Sequence, residues 1–295
     1  IVRLGEGLAD NGRLADTAMA RAYQALGACA QRIEARKPVA MGCIATQACR
    51  IAANGPAFLA RVKKDFGLDF EVISHEEEAK LSVLGCASLL DPAAETALIV
   101  DIGGGSTELS WVSPQAVKSH LTRGDLAPPM LAWGSAPLGV VTVAEEEREP
   151  GADRPAWYER KVAAIAAQLA ALGSADLRAA FERGRAHIVG TSGTVTSLAG
   201  VHLGLKRYQR SRVDGLWMSA AECKTVIDTL LAQTFEQRAA NPCIGKDRAD
   251  LVIPGGAILD AVLRLWPAER IRVADRGLRE GVLMRLIAQH NRTLP

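Results

Sequence analysis

The sequence is poor in the features that would announce a metal site, a disulfide scaffold, a membrane anchor or a nucleic-acid binder. Its six cysteines, Cys29, Cys43, Cys49, Cys86, Cys223 and Cys243, form no C-x-x-C pair. Most sit among Ala, Leu, Ile and Gly, as the reduced thiols of a cytosolic protein do, so a disulfide framework is set aside. The five histidines form no H-x-x-x-H pair, which argues against zinc. No apolar run approaches the roughly 20 residues that cross a bilayer, and no leader pattern is visible, so a cytoplasmic location without membrane contact is expected. Neither sign of charge dominates: 35 Lys and Arg against 33 Asp and Glu leave +2. That balance excludes a strongly basic nucleic-acid binder but allows a local basic channel. Aromatics are scarce, at 4%. Internal repeats, charge blocks and low-complexity stretches are absent.

What is present is an ordinary globular composition, with 295 residues of which 48% are hydrophobic. That is enough for a sizeable core in one or two domains. Spacings of three and four from Ala18 to Ile33 predict a helix over 16–36, with Asp16 as a cap. Val39 to Ala45, after Pro38, reads as a buried strand. Short helices follow at 48–53 and at 58–66, the second closed by Gly67. A strand at 70–73 leads into a helix from Ser74 to Leu90. Strands are then predicted at 97–102, 106–112, 187–190 and 271–274. Helices are predicted at 155–172, 194–203, 220–234, 256–265 and 278–289. Strands alternating with helices predict an α/β fold. A boundary near Asp91-Pro92 divides the chain into residues 1–92, joined by the C-terminal helix 278–295, and residues 93–277. The start, Ile1-Val2-Arg3-Leu4, reads like the middle of a strand, so a preceding segment is expected. Glu145 to Gly151 reads as a solvated loop.

The most informative stretch runs from Leu98 to Leu109. Gly103-Gly104-Gly105 between two apolar runs forms a turn whose backbone can approach a ligand closely. Successive N–H groups in such a turn make a concave anion site, drawn from Gly103, Gly104, Gly105 and Ser106. Asp101 ends the incoming strand, and Glu108 shares a face of the outgoing strand with Ser106. Acids flanking a phosphate loop suit Mg²⁺, which takes one or two carboxylates plus phosphate oxygens. The pattern G-x-x-x-x-G-K-[ST] is absent, so this is not a P-loop. A second turn, Gly190-Thr191-Ser192-Gly193-Thr194, joins a strand to a helix. Helix N-termini bind anions, and Thr191 or Ser192 could cap this one. Taken alone, this turn reads as a plain cap.

Ser74-His75-Glu76-Glu77-Glu78-Ala79-Lys80 opens a helix. Ser74 and Glu77 fit a capping box, and acids in a first turn suit the helix dipole. Arg50 follows an apolar strand on a short helix, where its planar fork could reach a phosphate. Lys206, Arg207, Arg210 and Arg212 form a basic cluster that reads first as a solvated turn and second as part of a channel for phosphates.

Together these stretches resemble the exopolyphosphatase and guanosine pentaphosphate phosphatase family. Asp101 to Leu109 resembles its second phosphate motif. Glu78-Ala79-Lys80 is similar to its Glu-Glu-Ala-basic segment, Ala45 to Arg50 to its Ala-Thr-x-x-x-Arg segment, and Gly190 to Thr194 to its Gly-x-Ser-Gly-Thr turn. Asp275-Arg276-Gly277-Leu278-Arg279-Glu280-Gly281 resembles its C-terminal signature. The resemblance runs from about residue 1 to residue 290. It implies a two-lobed actin-like (ribonuclease H-like) ATPase fold with an interlobe active-site cleft. It also implies Glu78 as general base with Arg50 as catalytic partner, and Asp101 and Glu108 as ligands of Mg²⁺. Phosphate would be held by Gly103 to Ser106 and by Thr191, Ser192, Gly193 and Thr194. The family's first Asp-x-Gly loop is expected before Ile1, and the additional helical region of the family's long forms is not expected within these residues.

The expected activity is hydrolysis of the terminal phosphoanhydride of inorganic polyphosphate or of guanosine pentaphosphate, and a homodimer is allowed. Two rivals are an ATP-dependent small-molecule kinase of the same superfamily and a non-catalytic sensor binding a guanosine alarmone. Glu78-Ala79-Lys80 and Ser106-Thr107-Glu108-Leu109 speak against the kinase.

Overall fold

In the computed structural model, which describes residues 2–293, the chain opens with α1 (Leu8–Asn11) and α2 (Asp16–Arg36). The predicted strand-like start is instead a turn. Arg3 adopts a positive φ of 45°, which breaks an extended run, and the Glu6 N–H reaches its carbonyl at 3.1 Å. Ile1 lies outside the described residues. α2 matches its apolar spacing, but Asp16 is its first helical residue rather than its cap. Ala15 holds the cap position, with no side-chain bond.

The strand expected over 39–45 forms only as β1 (Cys43–Ala45). Val39 is 87% exposed and Met41 is exposed too, because Pro38 follows a left-handed Lys37 and the chain uses 38–42 to change direction. Then come α3 (Gln47–Ile51), α4 (Gly55–Phe66) closed by left-handed Gly67, and β2 (Phe70–Val72). β1 and β2 pair in parallel, Ile44 opposite Glu71. Leu8, Leu14, Ala22, Phe58, Val62 and Leu68 form the core between these elements.

α5 (His75–Cys86) follows. Ser74 Oγ accepts the Glu77 N–H at 3.2 Å, half of the predicted capping box. The Glu77 carboxylate instead accepts from Arg285. The helix stops at Cys86, and a single 3₁₀ turn continues to Leu89.

Two compact units result, one of Ile1–Glu78 with Val282–Pro295 and one of Ala79–Gly281. Their boundary falls inside α5 rather than near residue 92. The reason is packing: Val83, Cys86 and Leu89 share a core with Ala97, Ile99, Val189 and Ala274.

The second unit contains β3 (Thr96–Ile102), β4 (Thr107–Val112), α6 (Pro114–Thr122), β5 (Ala132–Ala136), α7 (Val140–Glu146), α8 (Arg154–Leu169) and α9 (Ala175–Glu182). β6 (Ala186–Thr191), α10 (Ser192–His202), α11 (Arg210–Val213), β7 (Trp217–Ser219), α12 (Ala220–Ala232) and α13 (Phe235–Ala240) follow. α14 (Val252–Leu265), β8 (Arg270–Ala274) and α15 (Leu278–Thr293) complete the chain. The sheet order is β5-β4-β3-β6-β8-β7. β3, β4 and β5 form an antiparallel meander, while β6 and β8 run parallel to β3. An antiparallel trio continued by two parallel strands is the ribonuclease H-like order, here with β7 added at one edge.

β3 is the centre of this sheet, and its unbroken apolar run reflects burial on both faces. β5 and β7, which the sequence reading missed, are edge strands with little alternation. α14 begins at Val252, so Pro254 sits inside its first turn, where its missing N–H has no intrahelical partner to lose. The stretch read as a solvated loop is partly structural. α7 takes up Glu145 and Glu146, and the Glu149 carboxylate pairs with Arg238, which is 1% exposed.

Candidate active site

The glycine turn between β3 and β4 is closed by the Gly103 N–H, which donates to the Ser106 carbonyl at 2.9 Å. That amide is therefore engaged within the turn and is not one of the anion donors expected there. The carbonyls of Gly103 and Gly104 accept the N–H groups of Val140 and Val141, at 3.0 and 2.9 Å, at the start of α7. In a trans peptide the C=O and N–H point opposite ways. The amides of Gly104 and Gly105 thus face away from α7. Gly139 makes this docking possible, since a Cβ there would overlap the Gly104 backbone.

Asp101 and Glu108 are direct cross-strand partners on β3 and β4. Directly opposed residues present their side chains on one face of the sheet. Ser82 Oγ donates to Asp101 Oδ2 at 2.6 Å, and Ser135 Oγ donates to Glu108 Oε1 at 2.8 Å. Burial pushes the Asp101 carboxyl above its ordinary value, and the Ser82 hydrogen bond offsets part of that rise. Two opposed carboxylates, each oriented by a hydroxyl, are a donor set that fits a hard divalent cation such as Mg²⁺.

On its other side Asp101 is the parallel-register partner of Thr191 at the end of β6. The second turn therefore lies beside the first. Neither hydroxyl predicted to cap α10 does so. Thr191 Oγ1 donates to the Arg276 carbonyl at 2.6 Å, and Ser192 Oγ to the Ile102 carbonyl at 2.5 Å. Ser192 holds a positive φ of 75°, which aims its side chain back at β3 instead of along the helix. The first turn of α10 is left without a side-chain cap.

The Asp275-Arg276-Gly277 segment supports this loop. Asp214 accepts from the Asp275 N–H at 3.0 Å and from the Arg276 guanidinium, so Arg276 offers its carbonyl to Thr191. Sequence reasoning missed Arg248. A Cβ at Gly193 would come within 3.6 Å of its guanidinium, and its Nη1 donates to Ser197 Oγ at 3.3 Å. It is half-buried at the head of α10. It lies in a turn of mixed charges far along the chain, where no pattern distinguishes it. Lys206, Arg207, Arg210 and Arg212 are exposed, and Arg210 pairs with Glu280 at 2.9 Å.

In the first unit, Arg50 and Glu78 meet. Arg50 Nη2 lies 3.2 Å from Glu78 Oε2, and both side chains are largely buried. The same nitrogen reaches Gln47 Oε1 at 3.1 Å and His75 Nδ1 at 2.9 Å, while Nη1 donates to the Ile73 carbonyl. The remaining predicted residues, Asp101, Gly103 to Ser106, Glu108 and Thr191 to Thr194, belong to the second unit.

The sequence matches the model of the Ppx/GppA phosphatase family over residues 1–290. Exopolyphosphatase 2 of Mycobacterium tuberculosis is 30% identical over 97% of this chain and 87% of its own length. The crystal structure of the Aquifex aeolicus member of the Ppx/GppA family is similar with a TM-score of 0.75 at 27% identity, covering 99% of this chain and 88% of that one. An exopolyphosphatase from Cytophaga hutchinsonii shares the fold, with a TM-score of 0.82 at 23% identity over 97% of this chain and 87% of that one.

Proposed function

The chain belongs to the Ppx/GppA phosphatase family, and on that premise we propose that it removes the terminal phosphate of inorganic polyphosphate, with guanosine pentaphosphate as the second candidate substrate. The observation that carries the reading is the opposed Asp101–Glu108 pair beside a turn whose Gly104 and Gly105 amides face outward. Such a set suits a phosphoryl group and its cation. Phosphoryl transfer depends mostly on positioning and on offsetting charge, and this machinery supplies both.

In this reading the amides of Gly104 to Ser106 and of the first turn of α10 hold phosphoryl oxygens. Arg248 adds a cation at the second turn. Glu78 takes a proton from the attacking water as its oxygen bonds to phosphorus and the anhydride oxygen leaves. A Mg²⁺ ion held by Asp101 and Glu108 would neutralise charge on the phosphoryl oxygens. Ser82 and Ser135 keep the two carboxylates turned toward that role.

The test is phosphate release from each substrate in parallel with Mg²⁺. Glu78→Gln should lower kcat by about 10²–10⁴-fold and leave substrate binding in place, since a general base acts in the transition state. A Glu78→Gln enzyme with normal turnover on both substrates would remove the base from this reading. Release from neither substrate by the unaltered enzyme would sink the activity.

A further inference from the structure

His75 is the first residue of α5, and Glu78 stands one helical turn later. Residues three apart lie on one face of a helix. Both present an acceptor to one atom, Nη2 of Arg50, His75 Nδ1 at 2.9 Å and Glu78 Oε2 at 3.2 Å. Gln47 Oε1 makes a third at 3.1 Å. The nitrogen has only two hydrogens for these three acceptors. A guanidinium can donate but never accept, so His75 Nδ1 must be the unprotonated nitrogen and the ring carries its proton on Nε2. Desolvation, and then the Arg50 charge, push the His75 pKa below its ordinary value, which agrees with a neutral ring.

This sharing has a consequence for Glu78. An arginine fork left alone with a carboxylate closes on it with two parallel hydrogen bonds and occupies both oxygens. A carboxylate held that way is poorly placed to take a proton from water. Here His75 Nδ1 and Gln47 Oε1 compete with Glu78 for Nη2, and the Ile73 carbonyl holds Nη1, so that pair of nitrogens does not close on the carboxylate.

We propose that His75 is a positioning residue for hydrolysis: its Nδ1 holds Arg50 in a shared contact that keeps Glu78 oriented as the base. The proposal rests on Glu78 being that base. It acts through Arg50 and requires no contact of His75 with substrate.

The test compares His75→Ala, His75→Asn and His75→Gln in phosphate release from polyphosphate, with kcat and KM measured separately. His75→Ala should lower kcat about tenfold, in the range that loss of an outer-sphere partner gives, with KM within about twofold. Asn places an amide oxygen near the Nδ1 position, whereas Gln places its oxygen near Nε2. His75→Asn should therefore recover most of kcat and His75→Gln should not. Thermal unfolding of each variant separates this pattern from a general loss of fold, which would affect Asn and Gln alike. Unchanged kcat in His75→Ala, an effect confined to KM, or equal activity of the Asn and Gln variants would overturn the inference. Glu78→Gln distinguishes the two possible failures. If it is inactive while His75→Ala is fully active, only the His75 role falls. If it is fully active, the base and the His75 role fall together.

Discussion

Asp101 and Glu108 face each other across β3 and β4 with no residue between them in register, so two carboxylates share one patch of sheet. Like charges directly opposed on a sheet destabilise it by roughly 0.2–1 kcal/mol. This predicts opposite effects on stability and activity. Asp101→Asn should raise the unfolding temperature in the absence of divalent cation, since it removes the repulsion and a poorly solvated charge. The same variant should lower phosphate release and require about tenfold more Mg²⁺ for half-maximal rate. Mg²⁺ should raise the unfolding temperature of the unaltered protein and barely move that of the variant. A variant destabilised without the cation would contradict the pairing.

The second unit depends on backbones in near contact. A Cβ at Gly85 would overlap the Gly277 carbonyl, and one at Gly281 would overlap the Leu81 carbonyl. Carbonyls in helices cannot rotate aside. Gly281→Ala should cost about 3 kcal/mol, the upper part of the overpacking range. In a unit of this size that is a fall of about 6–12 °C in the unfolding temperature by calorimetry. Gly151→Ala, with nothing within 4 Å, should stay within about 0.5 kcal/mol of the parent.

His187 predicts a pH dependence. It is 2% exposed, its Nε2 accepts the Asp91 N–H at 3.3 Å, and its ring meets Trp217 edge-on. Burial lowers its pKa from 6.5 to about 4, with Asp91 opposing and Arg270 and Arg272 reinforcing the fall. The unfolded chain therefore takes up this proton first as pH drops. The stabilisation is complete above about pH 6.5 and disappears as pH falls through about 4, amounting to about 3 kcal/mol at most. Urea midpoints should fall between pH 7 and pH 4.5, and His187→Leu should flatten part of that slope. A variant with the same slope would show that other groups cause it.

Arg238 is a charge inside the fold, and Glu149 is its counter-ion. Removing one partner of a buried pair leaves the other charge uncompensated, at about 3–5 kcal/mol. Glu149→Ala should show a loss of that order in urea unfolding. Glu145→Ala, on the exposed side of α7, should be close to neutral.

The parts of the molecule legible in the sequence are those whose signal is local. β3 was visible because the apolar run Ala97 to Val100 leads into three glycines, and β4 because apolar Leu109, Trp111 and Val112 follow them. Residues of the candidate site announced themselves where chemistry and turn coincide, as at Asp101 to Glu108 and at Gly190 to Thr194. β5, β7 and Arg248 were not legible, because each gains its role from a neighbour distant in sequence: Glu108 for Ser135, β8 for Trp217, Gly193 for Arg248. The cap predicted for α10 failed for the same reason. Local chemistry favours a Ser or Thr turning back on its own helix, but the carbonyls of Ile102 and Arg276 outbid it.

Ser192 keeps a backbone conformation that glycine would adopt without cost. Its hydroxyl bond to the Ile102 carbonyl spans from the head of α10 to the last residue before the glycine turn. The gap between the two turns, laid down by the β3–β6 register, is therefore a gauge cut into the fold and pinned by one side chain of fixed length. A ligand touching both turns meets a spacing already chosen, and the ordering that flexible loops would demand at binding has been completed during folding. Ser192→Gly would relax the backbone and remove that pin at once, leaving a more comfortable chain whose two turns keep the register of their strands but lose the side-chain tie between them.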